Sequence, residues 1–127
     1  MLVDTDVIIR FLTRDDKVKA DRFERFLNEG YEIILTDVTF AEVYWTLCSF
    51  YKFSKDTMLA VLESLANKDS ILCSREILLS TIKILHNQNV SFIDAYTAAR
   101  AMDAGDKRIL SYDKDFDKIA GVERVEP

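Results

Sequence analysis

The sequence is poor in residues that interrupt regular structure and in residues that build thiol or histidine sites. Its 127 residues include three glycines and one proline, Pro127, which disfavours a turn-rich all-β fold and favours long regular elements. With two cysteines and one histidine, a disulfide framework, a zinc site and a Ser-His-Asp or Cys-His mechanism have little support. We expect Cys48 and Cys73 to be reduced core residues and His86 to be solvated at a helix end.

Positive charge and long apolar runs are scarce as well. The sequence has 17 Lys and Arg residues and 22 Asp and Glu residues, which gives a formal charge of −5. This balance argues against nucleic-acid binding through broad phosphate neutralisation, although an enzyme can still hold a phosphate through local metal ions. No secretory leader pattern and no apolar run near the ~18 residues of a membrane span is present. We predict a single domain over residues 1–127 that is soluble and cytoplasmic.

Short apolar segments alternate with helical patterns along the chain. The spacing predicts strands at 1–5, 32–36, 70–74, 107–112 and 122–126, helices at 6–14, 15–30, 39–53, 54–67, 75–89 and 91–105, and a helical turn at 113–119. This alternation predicts an α/β fold, a three-layer α/β/α sandwich with a mainly parallel sheet of four to five strands. In such folds the ligand crevice lies beyond the carboxyl ends of the strands, so polar residues that follow strands are candidates for a site.

Acidic residues recur at these positions. They come from four separated segments, and they are Asp4 and Asp6, Glu42, Asp94, and Asp113 and Asp115. Taken singly, each has a structural explanation. The pairs Thr39–Glu42 and Ser91–Asp94 have capping-box spacing, and Asp4 is well placed to cap the helix that follows it.

Taken together, the acids point to a metal site. Carboxylates that converge repel one another by about 4 kcal/mol per close pair at an effective dielectric near 20. A cluster therefore takes up protons or holds cations. Oxygen ligands without nearby His or Cys suit Mg²⁺ or Mn²⁺.

Four segments in order over the whole chain resemble the PIN-domain nucleases. They are VDTDVIIRFL, TFAEVYWTL, SFIDAYTAA and ILSYDKDF. The short format and the D-A-x-x-A-A helix are most similar to the VapC-type toxins of toxin–antitoxin systems. The resemblance implies an Mg²⁺- or Mn²⁺-dependent endoribonuclease that hydrolyses RNA phosphodiester bonds, the toxin of a type II pair with a cognate antitoxin as its partner.

The resemblance also implies roles for individual residues. The matching acids, expected to be catalytic and to hold the metal, are Asp4, Glu42, Asp94 and Asp113. Asp6 and Asp115 are further candidate ligands, and Asp6 stands where many relatives carry Asn or Ser. Thr5 and Ser111 match hydroxyl residues that support the cluster. Arg10, one helical turn past Asp6, is the candidate substrate-binding residue; a solvent-facing role on the helix explains it equally well.

The stretch FAEVYWTLCSFYKF holds more aromatic residues than one helix face needs for a core. Trp45, Phe50, Tyr51 and Phe53 therefore form either a homodimer or antitoxin surface, or part of the core of a small domain. The sequence leaves both interpretations open.

Three other functions remain as alternatives. A PIN-like RNA-processing nuclease would carry the same acids without being a toxin. Asp4-Thr5-Asp6 also looks like the opening motif of haloacid-dehalogenase phosphatases, although that family needs a downstream Lys and leaves Glu42 and Asp94 unexplained. A non-catalytic module that binds RNA or a protein is the third, and a complete set of four acids argues against it.

Overall fold

The computed structural model describes residues 1–127. The six α-helices are α1 Thr5–Thr13, α2 Lys17–Asn28, α3 Asp37–Ser49, α4 Lys55–Ala66, α5 Arg75–Asn87 and α6 Phe92–Ala104. The strands are β1 Ile33–Ile34, β2 Ile71–Leu72, β3 Arg108–Leu110 and β4 Glu123–Val125, and a 3₁₀ helix spans Lys114–Lys118. No helix combines the length and hydropathy needed to cross a bilayer.

The chain divides into two compact units, Met1–Arg75 and Glu76–Pro127. In the first unit β1 and β2 pair in parallel, with Ile33 opposite Ile71. Leu2 adds a single parallel bridge to Ile34. Helices α1 to α4 supply the apolar side chains that fill this unit, among them the fully buried Ile8, Phe40, Val43, Leu47, Leu59 and Leu62. The unit therefore has a helical core beside a short parallel ladder.

The second unit pairs β3 and β4 in parallel, with Ile109 opposite Arg124. Helix α6 and the 3₁₀ helix both pack near these strands. Buried residues of this unit include Leu78, Leu85, Ala95, Ala98, Ile109, Phe116 and Ile119. The small alanines of α6 allow close packing on that face of the helix.

The predicted α/β class with parallel strands is confirmed, but the ladder is less continuous than the predicted sheet of four to five strands. Ladder hydrogen bonds join the strands in two pairs, β1 with β2 and β3 with β4. Strands of two or three residues make too few ladder bonds for an extended sheet. The two-unit division leaves the prediction of one domain over 1–127 untested.

The first predicted strand, 1–5, was wrong in extent and burial. Helix α1 already begins at Thr5 because the Asp4 carboxylate caps it, which leaves three residues before the cap. Met1 and Leu2 are exposed, although the Val3 N–H donates to the Ile34 carbonyl and the Ile34 N–H donates to the Met1 carbonyl. An early cap thus replaces most of the predicted strand.

Other observed helix ends differ from the predicted ones where the capping residue is not the one predicted. Helix α3 begins at Asp37 because the Thr36 hydroxyl accepts from the Thr39 N–H, so the predicted Thr39–Glu42 capping box was wrong.

Cys48 is exposed rather than a core residue, and both cysteines are free. His86 lies in the last turn of α5 and is exposed, as predicted.

Candidate active site

Asp94 stands in the first turn of α6, where Ser91 caps the helix. The Ser91 hydroxyl accepts from the Asp94 N–H at 3.1 Å, which is the hydroxyl half of the predicted capping box. This bond fixes the backbone of Asp94, and its side chain is half-buried. The negative carboxylate also lies at the positive end of the helix dipole, where it is favoured.

Asp113 and Asp115 follow the end of β3 in a tight series of local hydrogen bonds. The Ser111 hydroxyl accepts from the Asp113 N–H at 2.9 Å. One oxygen of Asp113 accepts from the Asp115 N–H, also at 2.9 Å, and so caps the 3₁₀ helix. Phe116 is buried directly after them. Polar bonds to the backbone and an apolar anchor therefore hold this turn in place.

These three carboxylates of the second unit converge. One oxygen from each of Asp94, Asp113 and Asp115 lies within 4.8 Å of the others. At such separations unit charges repel by about 3–4 kcal/mol per pair at an effective dielectric near 20. Three hard oxygen donors without nitrogen or sulfur fit Mg²⁺ or Mn²⁺, which bind through carboxylates and water.

A lysine that the sequence interpretation missed lies against one of these acids. The Lys118 ammonium is 2.9 Å from a carboxylate oxygen of Asp115. The hydrogen bond to Asp115 raises the pKa of Lys118, so the lysine stays charged. The i, i+3 spacing of Asp115 and Lys118 in one helical turn was the signal that could have revealed the pair.

In the first unit, Thr5 connects two of the predicted acids. Its backbone N–H donates to the Asp4 carboxylate at 2.8 Å, and its buried hydroxyl donates to the Glu42 carboxylate at 2.7 Å. Glu42 therefore faces α1 from the second turn of α3 instead of closing a capping box on its own helix. Thr5, predicted as a supporting residue, orients Glu42.

Asp6 and Arg10 line an open cleft of about 570 Å³ in the first unit, together with Asp4 and the aromatic rings of Phe23 and Phe26. Both residues lie on α1, one turn apart. Asp6 is exposed at the start of the helix. The cleft thus carries two carboxylates and the one predicted cation, Arg10.

Arg10 is held by a neighbouring acid. Its guanidinium donates to Asp15 at 2.5 Å, and the Tyr51 hydroxyl donates to the same carboxylate oxygen at 3.0 Å. Partial burial favours a higher pKa for Asp15, but the hydrogen bonds, first that of Tyr51, outweigh it and lower the pKa. The predicted substrate-binding role of Arg10 stays a prediction, and the side chain remains 40% exposed.

The structure therefore brings the predicted site residues together in two groups. Asp94, Asp113 and Asp115 share one small volume with Ser111 bonded beside them. Asp4 and Glu42 are joined through Thr5. That all of these residues act in one catalytic site stays a prediction.

Two comparisons with known proteins identify relatives of this chain. The PIN domain family matches residues 1–122, so the chain belongs to the PIN domain family. Among characterised proteins it is similar to a VapC ribonuclease of Aquifex aeolicus (strain VF5), with 24% identity over 131 residues, 99% of this chain and 96% of the relative. No solved structure matches the chain.

Proposed function

We propose that this protein is a metal-dependent endoribonuclease that hydrolyses RNA phosphodiester bonds and serves as the toxin of a type II toxin–antitoxin pair. The observation that carries the proposal is the convergence of Asp94, Asp113 and Asp115 in a chain of the PIN domain family. The ribonuclease name of the Aquifex relative supports RNA as the substrate. A site in the cytoplasm would give the enzyme access to cellular RNA.

Asp94, Asp113 and Asp115 would hold Mg²⁺ or Mn²⁺, with Asp4 and Glu42 as further predicted ligands. When bound, the ion would lower the pKa of water for in-line attack and offset the charge that develops on the phosphate. Ser111 and Ser91 keep the backbone of two of these acids in place through hydrogen bonds to their N–H groups. The ligands would then need little rearrangement when the ion arrives.

Glu42 is predicted either as a ligand of the metal or as the residue that orients the attacking water, and its contact with Thr5 supports the second role. The Thr5 hydroxyl occupies one of its carboxylate oxygens at 2.7 Å, which limits rotation of the carboxylate and leaves the other oxygen to accept a proton or a hydrogen bond from water. A positioned acid–base group contributes about 10²- to 10⁴-fold to a rate. Arg10 would contribute a single local cation for the RNA backbone, in keeping with a chain of net charge −5.

Partners follow from the same proposal. A cognate antitoxin would cover the acidic site, and a homodimer would use the aromatic surface of α3 and the residues after it. Trp45 and Phe50 are 58% and 68% exposed, and their rings meet edge to face at 5.5 Å. Sedimentation of the wild type and of a Trp45→Ser, Phe50→Ser variant tests the dimer, which the variant should dissociate.

The test of the proposed activity uses total cellular RNA and four samples. These are wild type with Mg²⁺ or Mn²⁺, wild type with EDTA, Asp94→Asn, and Asp103→Asn as a matched exposed acid on the same helix α6. We expect discrete cuts with 5′-phosphate and 3′-hydroxyl ends that vanish with EDTA and in Asp94→Asn and persist in Asp103→Asn. Circular dichroism of each variant verifies that it is folded.

Other results would select another function. Release of phosphate from p-nitrophenyl phosphate without RNA cleavage would favour a phosphatase. Binding of RNA without cleavage at any metal concentration would favour a non-catalytic module. A small upstream gene encoding a DNA-binding antitoxin would favour the toxin over a processing nuclease.

A further inference from the structure

Beyond the residues that the PIN domain family matches, the last strand carries an arginine with an unusual set of contacts. Arg124 lies in the middle of β4, and its side chain is only 13% exposed. The family match ends at residue 122. The sequence predicts only a strand here, at 122–126.

The guanidinium of Arg124 contacts both ends of the loop that carries Asp113 and Asp115. At one end it donates to the backbone carbonyl of Ser111 at 3.2 Å. At the other end it makes two hydrogen bonds to the Asp117 carboxylate, at 2.9 and 3.2 Å. The paired geometry of the Asp117 contact matches the planar fork of a guanidinium, which lysine cannot reproduce.

The loop between these two anchors has two internal hydrogen bonds of its own. The Asp113 N–H donates to the Ser111 hydroxyl, and the Asp115 N–H donates to Asp113, both at 2.9 Å. A shift of Ser111 or Asp117 would therefore move both carboxylates. Because Arg124 is largely buried, removal of its guanidinium would leave the Ser111 carbonyl and the turn without their shared donor.

We propose that Arg124 is a positioning residue that fixes the Ser111–Asp117 loop so that Asp113 and Asp115 stay in place to bind a divalent cation with Asp94. This inference rests on the proposed metal site and extends it. Arg124 contacts none of the three carboxylates and acts through Ser111 and Asp117. Partners that orient metal ligands from outside the coordination sphere commonly change metal affinity by about 10- to 100-fold when they are lost.

The contacts of Arg124 supply a matched control. Arg124 also donates to Glu126 at 2.6 Å, and Glu126 lies outside the loop. Asp117→Asn removes the negative charge that Arg124 contacts on the loop. Glu126→Gln removes the other negative charge that Arg124 contacts and leaves the loop unchanged. A role limited to stability of the C-terminal strand would make both variants behave alike.

The experiment measures two quantities in wild type, Arg124→Gln, Arg124→Lys, Asp117→Asn and Glu126→Gln. The first is amide hydrogen exchange at Asp113 and Asp115 in metal-free protein, and the second is Mn²⁺ affinity by electron paramagnetic resonance. We expect Arg124→Gln and Asp117→Asn to speed exchange and weaken Mn²⁺ binding by about tenfold or more. Glu126→Gln should leave both within about twofold, and Arg124→Lys should fall between.

Wild-type exchange rates and Mn²⁺ affinity in Arg124→Gln would overturn the positioning role, and so would equal losses in Asp117→Asn and Glu126→Gln. If Arg124→Gln does not fold, the comparison of Asp117→Asn with Glu126→Gln tests the positioning role in its place. A wild-type protein that binds no Mn²⁺ would overturn the proposed metal site itself, and with it the role of Arg124 in metal binding. Intact Mn²⁺ binding without RNA cleavage would contradict the proposed nuclease activity but not the role of Arg124 in metal binding.

Discussion

The predicted site acids are held differently in the two units of the chain. In residues 1–75, Asp4 and Glu42 each accept a hydrogen bond from Thr5, one from its backbone and one from its hydroxyl. In residues 76–127, Asp94, Asp113 and Asp115 lie with their oxygens within 4.8 Å of one another. The three second-unit carboxylates repel one another, and the charge of Lys118 beside Asp115 offsets only part of that repulsion.

This difference suggests a division of roles. We expect the second-unit acids to bind the metal and Glu42, which accepts a hydrogen bond from Thr5, to orient water. Substitutions in both units test that division.

Asp113→Asn should have the largest effect. The change removes one of three crowded charges, so Mn²⁺ affinity and RNA cleavage should both fall by more than about 100-fold, beyond the typical loss for residues outside the coordination sphere. Calorimetric metal titration and cleavage rates measure the two losses, with Asp103→Asn as the control. Unchanged metal affinity would show that the second-unit cluster is not the metal site.

Glu42→Gln should separate cleavage from metal binding. Loss of the carboxylate as a base or water-orienting group should lower the cleavage rate about 100-fold, while Mn²⁺ affinity changes by less than about threefold. A drop in affinity as large as that of Asp113→Asn would make Glu42 a metal ligand and remove the contrast between the two units. The two quantities are measured on the same preparations.

Thr5→Val should produce a smaller loss of activity. The substitution keeps the shape of the side chain but removes the hydroxyl that donates to Glu42, and the free energy of unfolding should fall by about 1 kcal/mol. We expect cleavage to fall about tenfold. Thr5→Ser retains the donor and should keep most of the activity; an equal loss in both variants would point to packing instead of orientation.

Lys118→Met should act in the opposite direction. The ammonium pairs with Asp115 and competes with a cation for it, so its removal should strengthen Mn²⁺ binding by up to about fivefold, since exposed pairs contribute at most about 1 kcal/mol. Lys114→Met in the same 3₁₀ helix makes an equal change in net charge and is the control. Equal effects in both variants would attribute the gain to general electrostatics.

Substitution of Asp106, an acid outside the cluster, should have the smallest effect. Hydrogen bonds from the Arg108 side chain and backbone lower its pKa to about 2. A lowered pKa means that the ion pair contributes stability above the unfolded pKa of about 3.9 and loses it as pH falls toward 2. Asp106→Asn should therefore lower the melting temperature slightly at pH 6, with a difference that narrows below pH 4; a difference independent of pH would exclude the ion pair as its cause.

Much of the architecture followed from local patterns. Helices α4 and α6 were predicted within one residue at each end because Ser54 and Ser91 are N-cap residues immediately before helical periodicity. The Gly105 stop of α6 was also recognisable, since its φ of +82° is in the left-handed region that glycine adopts readily. Pairing of strands that are two residues long depends on tertiary packing, so their extent was not predictable.

Caps and hydrophobic periodicity are local properties of the chain, so they showed which acids follow strands or open helices. They therefore indicated Asp94, Asp113 and Asp115, and the resemblance to the PIN family followed from the same segments. The packing of the elements was needed to show that these three acids share one volume, that Thr5 donates to Glu42 on another helix, and that Arg124 contacts both Ser111 and Asp117. Such contacts join residues from separate elements, and their distances depend on how the elements pack.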